Sequence, residues 1–272
     1  MSGTGRTRLA VLGSPIGHSK SPAIHRAAYE VLGLDWDYGA AEVTGDALPA
    51  YLDGLDDAWR GLSLTMPLKR DVLPLLDSRD DLVDVVGAAN TLLLADDGRH
   101  GFNTDVGGVV SAFREAGVQR LDSVLILGGG ATAASVLAGV AELGATAATV
   151  IARTPANAAP LVPLGERVGV RVHVAGTQET PADAPSAVIS TVPGGAEVPR
   201  LRDEVRGSAV LFDVAYDPWP TPLAASWRAP VLSGFDLLVH QAVGQLRVFL
   251  HGNPRMPLAD EAAVLAAMRA AL

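Results

Sequence analysis

The chain has 272 residues and a formal net charge of −9, which argues against nucleic acid or an anionic membrane as its main partner. It contains no cysteine, which excludes disulfides, thiolate zinc sites and cysteine nucleophiles, and its six histidines show no metal-ligand spacing. No apolar run approaches membrane-spanning length and no long apolar segment opens the chain, so we expect a cytoplasmic location.

The first half of the chain alternates strand and helix signals, which predicts a complete α/β unit. Strands are expected at 8–12, 36–43 and 61–65, and helices at 22–32, 46–55 and 67–76. Segments 91–94 and 100–102 flank Asp97-Gly98, which is typical of a hairpin.

Two serines in the segment GSPIGHSKSP, residues 13–22, are candidates for holding a small carboxylate. If the backbone is extended around Lys20, the hydroxyls of Ser19 and Ser21 project to the same side. Ser21 precedes Pro22, which favours that conformation. Ser21 followed by Pro22 is also typical of a helix N-cap followed by a first helical residue, so capping is the alternative role for Ser21.

A lysine and an aspartate are the candidates for proton transfer. The segment GLSLTMPLK, residues 61–69, delivers Thr65 and Lys69 to the C-terminal end of a strand, where α/β proteins bind ligands. Only Lys20 and Lys69 are lysines, and arginine does not readily lose a proton. Asp105, in GFNTD, would hold the Lys69 ammonium in place beside a substrate hydroxyl. Its alternative role is to cap a helix that begins at Val106.

The segment DSVLILGGGATAASVLAGVAELG, residues 122–144, has the order strand, glycine turn, helix. The spacing Gly128-x-Gly130-x-x-Ala133 matches the dinucleotide-binding pattern, in which the backbone and the helix N-terminus hold a pyrophosphate. After the next strand, at 147–151, Arg153 stands where an acidic residue would select NAD. A guanidinium pairs with a 2′-phosphate, so the sequence predicts NADP. Thr154 can alternatively cap the following helix.

The second half predicts a doubly wound sheet of mostly parallel strands, at 123–127, 147–151, 170–174, 187–192, 210–214 and 230–232. Two apolar-faced helices, at 236–250 and 258–271, follow it. We expect them to return to the first domain. The predicted domains are therefore 1–105 with 237–272, and 106–236.

The motifs together resemble those of one family. GSPIGHSKSP, GLSLTMPLK, GAANT around Asn90, GFNTD, the glycine turn, DVAYDP and GFDLLVHQA occur in the order and spacing of shikimate dehydrogenases. The resemblance to the NADP-dependent biosynthetic type covers essentially the whole chain. It implies an N-terminal α/β substrate domain, a Rossmann-type NADP-binding domain, and reversible reduction of 3-dehydroshikimate to shikimate in aromatic amino acid biosynthesis. We expect a monomer or a homodimer.

The resemblance also implies a role for each motif residue. Lys69 and Asp105 would handle the proton. The substrate would be bound by Ser19, Ser21 and Tyr216 at its carboxylate, and by Thr65, Asn90 and Gln241 at its ring hydroxyls. The cofactor would be bound by Gly128, Gly129, Gly130, Ala131, Thr132, Arg153, Thr154, Thr191 and Val192, with Gly234 and Leu237 against the nicotinamide.

The chain departs from the commonest family pattern in its cofactor loops. The turn reads GGGAT instead of GAGGA, Ala152 replaces an asparagine, and Ser190-Thr191-Val192 replaces Asn-Ala-Thr/Ser. Two alternatives therefore stay open. One is a quinate/shikimate dehydrogenase that uses NAD, and the other is a non-catalytic NADP-binding paralogue that acts as a sensor. An acidic residue in place of Arg153 would favour the first, and loss of Lys69 or Asp105 the second.

Overall fold

The computed structural model describes residues 7–179, 184–194, 196 and 198–272. These residues form two compact units. One comprises the described residues up to Thr104 together with Leu238–Leu272, and the other comprises Asp105–Leu237. No helix in the described part of the chain combines the length and apolar character that a membrane crossing requires.

The first unit contains a six-stranded mixed sheet. Its N-terminal elements are β1 (Thr7–Gly13), α1 (Ser21–Leu32), β2 (Trp36–Glu42), α2 (Leu48–Asp53), β3 (Trp59–Leu64), α3 (Leu68–Asp71), β4 (Ser78–Arg79), α4 (Asp81–Val86), β5 (Thr91–Ala95) and β6 (Gly98–Phe102). The strand order is β2-β1-β3-β5-β6-β4. Strand β1 pairs in parallel with β2 and β3, whereas β5 runs antiparallel to both β3 and β6. The predicted hairpin is therefore present.

The second unit is a doubly wound sheet. Its elements are α5 (Asp105–Glu115), β7 (Ser123–Leu127), α6 (Ala131–Glu142), β8 (Ala147–Ile151), α7 (Pro155–Ala158), α8 (Leu161–Val168), β9 (Arg171–Ala175), β10 (Ala187–Ser190), α9 (Asp203–Ser208), β11 (Val210–Asp213), α10 (Pro222–Ala225) and β12 (Val231–Ser233). All neighbouring strands are parallel, in the order β12-β11-β10-β7-β8-β9. Read from the β9 edge, this is the 3-2-1-4-5-6 order of dinucleotide-binding sheets. The order reverses between β7 and β10, where such sheets bind their ligands.

The last two helices, α11 (Gly234–His251) and α12 (Glu261–Ala270), pack on the first sheet, as predicted. Side chains of β1 alternate between its two faces, as expected for a strand covered on both sides. One face forms a buried cluster with α1, α11 and α12, which includes Leu9, Val11, Ile24, Val239, Leu246, Phe249, Val264 and Met268. The other face packs against α2, α3 and α4 through Ala10, Leu12, Leu48, Leu52, Leu68 and Val83.

One local prediction was wrong and one helix was missed. The expected helix at 67–76 is split into α3 and a 3₁₀ turn over Leu73–Leu75, because Pro74 has no N–H to continue an α-helix. Helix α4 was not predicted, although its signals are in the sequence. The Asp80 side chain caps it by accepting from the Val83 amide at 2.8 Å, and Gly87 ends it at φ +69°.

Candidate active site

The glycine turn joins β7 to α6 at the point where the second sheet reverses its strand order. Gly130 is the N-cap of α6, and the amide of Ala134 makes the first helical hydrogen bond, to the Gly130 carbonyl at 3.1 Å. The amides of Ala131 and Thr132 precede that bond and have no helical acceptor. Together with the helix dipole, they favour an anion at this end of α6.

The three consecutive glycines have different physical explanations. Gly128 adopts φ +106°, where glycine is favoured, and a Cβ there would lie 2.5 Å from the hydroxyl of Thr191. A Cβ on Gly129 would lie 2.6 Å from the Cβ of Ala158 in α7. At Gly130 the backbone is extended, and an added Cβ would meet no protein atom within 4 Å. The fold thus requires glycine at the first two positions, whereas the third leaves open space for a pyrophosphate.

The ends of β8 and β10 border the same turn. Arg153 and Thr154 are exposed and follow β8 after Ala152. Thr154 occupies the N-cap position of α7, but its hydroxyl accepts no capping hydrogen bond. The amide and the hydroxyl of Thr191 both donate to the Leu127 carbonyl, at 2.8 and 2.9 Å, which fixes the loop that continues into Val192. Strand β10 ends at Ser190, so Thr191 lies in this loop instead of in the predicted strand.

The loop after β11 carries Tyr216, and its two ends are anchored by one carboxylate. Asp213 is only 2% exposed, and it accepts hydrogen bonds from the hydroxyls of Ser190 and Thr221 and from the amide of Ala215. Burial raises the pKa of Asp213, and the three donors partly offset that rise. The loop that carries Tyr216 is therefore held where it leaves β11 and where it enters α10.

Tyr216 and the start of α11 lie at the same edge of the second sheet. The Tyr216 ring stacks on Phe235, with centroids 5.1 Å apart. Burial raises the pKa of Tyr216, so its hydroxyl stays protonated at neutral pH and can donate to an anion. Gly234 follows β12 and packs so closely on the carbonyl of Val214 that a side chain would not fit. Leu237 is buried one turn later.

In the first unit, the backbone around Lys20 differs from the prediction for Ser19 and Ser21. Lys20 is helical, at φ −87° and ψ −6°, and Ser21 is the first residue of α1. The condition of an extended backbone around Lys20 is therefore not met, and binding of a carboxylate by Ser19 and Ser21 stays a prediction. Pro22 fits the first turn of a helix, so α1 begins one residue earlier than predicted. The Ser19 hydroxyl accepts from the Ser21 amide at 3.3 Å, so it also serves as a local cap.

The loops that follow β1 and β3 lie side by side. The amide of Thr65 donates to the Leu12 carbonyl at 2.9 Å, and a Cβ on Gly13 would collide with the Thr65 side chain. Lys69 is half-buried in α3, and its carbonyl accepts from the Ala89 amide at 2.8 Å. These contacts bring Thr65 and Lys69 to the C-terminal edge of the first sheet, next to the segment that contains Asn90.

Asn90 and Gln241 are in direct contact, although 150 residues separate them in the chain. The Asn90 side-chain nitrogen donates to the hydroxyl of Thr104 at 2.9 Å and to the Gln241 side-chain oxygen at 3.2 Å. The Asn90 side-chain oxygen accepts from the Thr104 amide at 2.8 Å and from the Thr91 hydroxyl at 2.9 Å. Asn90 is therefore a buried anchor in this structure. Any contact between its side chain and a substrate requires one of these bonds to be exchanged.

Asp105 is the first residue of α5 and is buried. The helix includes Asp105, so it begins one residue earlier than the capping alternative assumed. Lys69 belongs to one compact unit and Asp105 to the other. Their pairing, and that of Tyr216 with Ser19 and Ser21, stays a prediction.

Sequence reasoning missed three polar residues that contact the predicted site directly or through one another. Thr104 bonds to Asn90 as described above. Gln245 and Ser63 continue the hydrogen-bonded cluster into the core of the first unit. A signal for Gln245 was present, because it lies four residues after Gln241 and therefore on the same face of a helix.

Comparison with known proteins identifies the family. Residues 11–92 match the model for the shikimate dehydrogenase substrate binding domain. A shikimate dehydrogenase (NADP(+)) of Anaeromyxobacter sp. is 37% identical over 277 residues, which cover 97% of this chain and 98% of the relative. The chain belongs to the shikimate dehydrogenase family. The family resemblance expected from the motifs is thereby confirmed.

Solved structures of shikimate dehydrogenases have the same fold over nearly the full length. The enzyme from Mycobacterium tuberculosis is 39% identical, with a TM-score of 0.83 over 97% of this chain and 99% of that chain. The enzyme from Thermus thermophilus, solved in complex with NADP(H) and shikimate, is 31% identical, with a TM-score of 0.81 over 97% and 99%. The predicted fold class is confirmed, with an N-terminal α/β substrate domain and a Rossmann-type domain.

Proposed function

We propose that the protein is an NADP-dependent shikimate dehydrogenase, which reversibly reduces 3-dehydroshikimate to shikimate in aromatic amino acid biosynthesis. The observation that carries this proposal is relatedness to enzymes of that name over almost the entire chain, in both compact units. Two edges of polar residues support it, one at the C-terminal ends of β1, β3 and the residues before β5, and the other at the C-terminal ends of the second sheet.

The second unit fits the NADP cofactor. Open space at Gly130 and the free amides of Ala131 and Thr132 suit a pyrophosphate. Arg153 would pair with the 2′-phosphate, and its exposure after β8 leaves the guanidinium accessible. Thr154, Thr191 and Val192 would line the remainder, together with Gly128, Gly129, Gly234 and Leu237. Bound NADPH supplies the hydride that reduces the substrate carbonyl carbon.

Lys69 and Asp105 are the proposed proton-handling pair. In the reducing direction, the Lys69 ammonium donates a proton to the carbonyl oxygen as that oxygen gains charge, and in the oxidising direction neutral Lys69 accepts the hydroxyl proton. The Asp105 carboxylate would orient the ammonium towards the substrate oxygen. The reaction balances in both directions, because reduction of the carbonyl consumes one hydride and one proton and oxidation of the alcohol releases them.

The remaining polar residues would position the substrate. We propose that Ser19, Ser21 and Tyr216 donate to its carboxylate through their hydroxyls. Thr65 and the cluster of Asn90 and Gln241 would bind the ring hydroxyls.

Substrate binding and cofactor binding are proposed to belong to different predicted domains. Residues 1–105 with 237–272 bind the substrate and carry Lys69, and residues 106–236 bind NADP. A cytoplasmic location and a monomeric or homodimeric state belong to the same proposal. Shikimate is the small-molecule partner.

The test is a spectrophotometric assay of the purified full-length protein, with shikimate or quinate and with NADP⁺ or NAD⁺. We expect the fastest turnover with shikimate and NADP⁺, and consumption of NADPH when 3-dehydroshikimate is supplied. Faster turnover with quinate and NAD⁺ would favour a quinate/shikimate dehydrogenase. Binding of NADPH without turnover of either acid would favour a non-catalytic sensor.

A further inference from the structure

A polar residue lies in the middle of the apolar face that α11 presents to the first sheet. Gln245 is 2% exposed, and its neighbours on this face include Ala242, Leu246 and Phe249, which belong to the buried core. An amide in such surroundings is costly unless all of its hydrogen-bonding groups are paired. The partners of Gln245 therefore show what the residue does.

Gln245 connects the core to the backbone of Asn90. Its side-chain nitrogen donates to the Asn90 carbonyl at 3.1 Å, and its side-chain oxygen accepts from the Ser63 hydroxyl at 2.9 Å. The Ser63 oxygen in turn accepts from the Tyr38 hydroxyl at 2.5 Å. The Asn90 carbonyl can only accept, so the orientation of the Gln245 amide and the direction of each hydroxyl bond are fixed.

Asn90 is thereby bound to α11 at two points, one helical turn apart. Its side chain donates to Gln241, and its carbonyl accepts from Gln245 and, at 2.8 Å, from the Leu64 amide. Between these two contacts, a Cβ on Gly244 would lie 2.8 Å from the Cβ of Thr104, so the helix backbone closely approaches the segment that follows β6. The three positions 241, 244 and 245 form one face of α11. The bonds of Gln245 hold this face against Ser63 in β3 and Asn90, which directly precedes β5.

We propose that Gln245, supported by Ser63 and Tyr38, is a positioning residue for substrate binding. It sets the orientation in which Asn90 and Gln241 are presented. This proposal rests on the proposed function, which assigns substrate contacts to Asn90 and Gln241. Gln245 itself is enclosed in the core and touches neither substrate nor cofactor.

The test compares steady-state kinetics of the full-length wild type with those of Gln245→Leu, which removes both hydrogen bonds and leaves an apolar side chain that is one atom shorter. We expect the KM for shikimate to rise about ten-fold, as for the loss of a buried hydrogen bond, with the KM for NADP⁺ unchanged. Ser63→Ala should raise the shikimate KM less, since Gln245 keeps its bond to Asn90. It also serves as the informative variant if Gln245→Leu does not fold.

Leu246→Ala is the matched control for a purely structural effect. Leu246 is fully buried on the same helix, so its truncation lowers stability through a cavity without breaking any bond to Asn90. We expect it to lower the melting temperature and leave the shikimate KM unchanged. An unchanged KM in Gln245→Leu, or in Ser63→Ala where that variant replaces it, or an equal rise in Leu246→Ala, would overturn the positioning role. A wild type that does not oxidise shikimate would instead refute the proposed function and this extension with it.

Discussion

Two single substitutions of adjacent glycines by alanine distinguish a glycine that the fold requires from one that cofactor binding requires. In Gly130→Ala the added Cβ meets no protein atom within 4 Å, and the backbone is already extended. Alanine is a poorer N-cap residue than glycine by roughly 0.5–1 kcal/mol, and the reduced entropy of the unfolded chain offsets about 0.4–1 kcal/mol. Stability should therefore stay within about 0.5 kcal/mol of the wild type. The same methyl occupies the space proposed for the pyrophosphate, so the Kd for NADPH should rise at least about ten-fold, because the ligand must shift from the helix amides.

Gly129→Ala is the matched comparison for this experiment. Its Cβ would lie 2.6 Å from the Cβ of Ala158 and 2.9 Å from the Ala158 Cα, which is backbone and cannot rotate away. Overpacking of this kind costs about 1–3 kcal/mol, so this variant should unfold at lower urea concentration. Urea unfolding and fluorescence titration with NADPH measure the two effects. If Gly130→Ala binds NADPH as tightly as the wild type, the pyrophosphate does not lie against this residue and the proposed cofactor position is wrong.

Three further predictions concern proton transfer, cofactor choice and pH dependence. Lys69→Met should lower kcat by at least about a hundred-fold with NADPH binding unchanged, whereas Lys20→Met, the exposed control, should keep the wild-type kcat. A near-normal rate in Lys69→Met would contradict the proposed role of Lys69 in proton transfer. Arg153→Ala should raise the KM for NADP⁺ about five- to thirty-fold, a moderate factor because the side chain is exposed, and should leave the KM for NAD⁺ nearly unchanged. Equal effects on the two KM values would mean that another residue binds the 2′-phosphate. Burial lowers the pKa of His25 to about 4, so the unfolded state binds more protons and stability falls as the pH drops from 6.5 towards 4. Between pH 7 and 5 the wild type should therefore lose about 2 kcal/mol more than His25→Phe in urea unfolding, and parallel losses would show that His25 does not contribute.

The sequence predicted the second unit better than the first. Parallel strands covered on both faces are continuous apolar runs, so β7 and β8 were predicted with the bounds that the structure has. The end of helix α3 and the start of α1 were less predictable, because Pro74 and Pro22 change the helix bounds by only a few residues. A one-residue difference at Ser21 changes which way its side chain points.

The candidate site was predicted residue by residue from motifs, but the connections between its residues were not. The contact of Asn90 with Gln241 joins segments that lie far apart in the chain. Gln245 and Ser63 are polar residues in apolar stretches. Sequence periodicity predicts that such positions face the core, but it does not predict what a polar side chain does there. Only the structure shows that these two residues are hydrogen-bonded to each other and that Gln245 leads to Asn90.

The all-parallel arrangement of the second sheet also has a consequence for how the chain folds. Ser123 pairs with Ala147 and Val124 with Ala187, so a long loop must close before each of these pairings forms. In the first sheet, β5 and β6 are joined by a two-residue connection and can pair within microseconds. Because non-local contacts slow folding, we expect the first sheet to gain protection from hydrogen exchange at its hairpin before β7 and β10 are protected. The strand that leads into the glycine turn would then order after this hairpin.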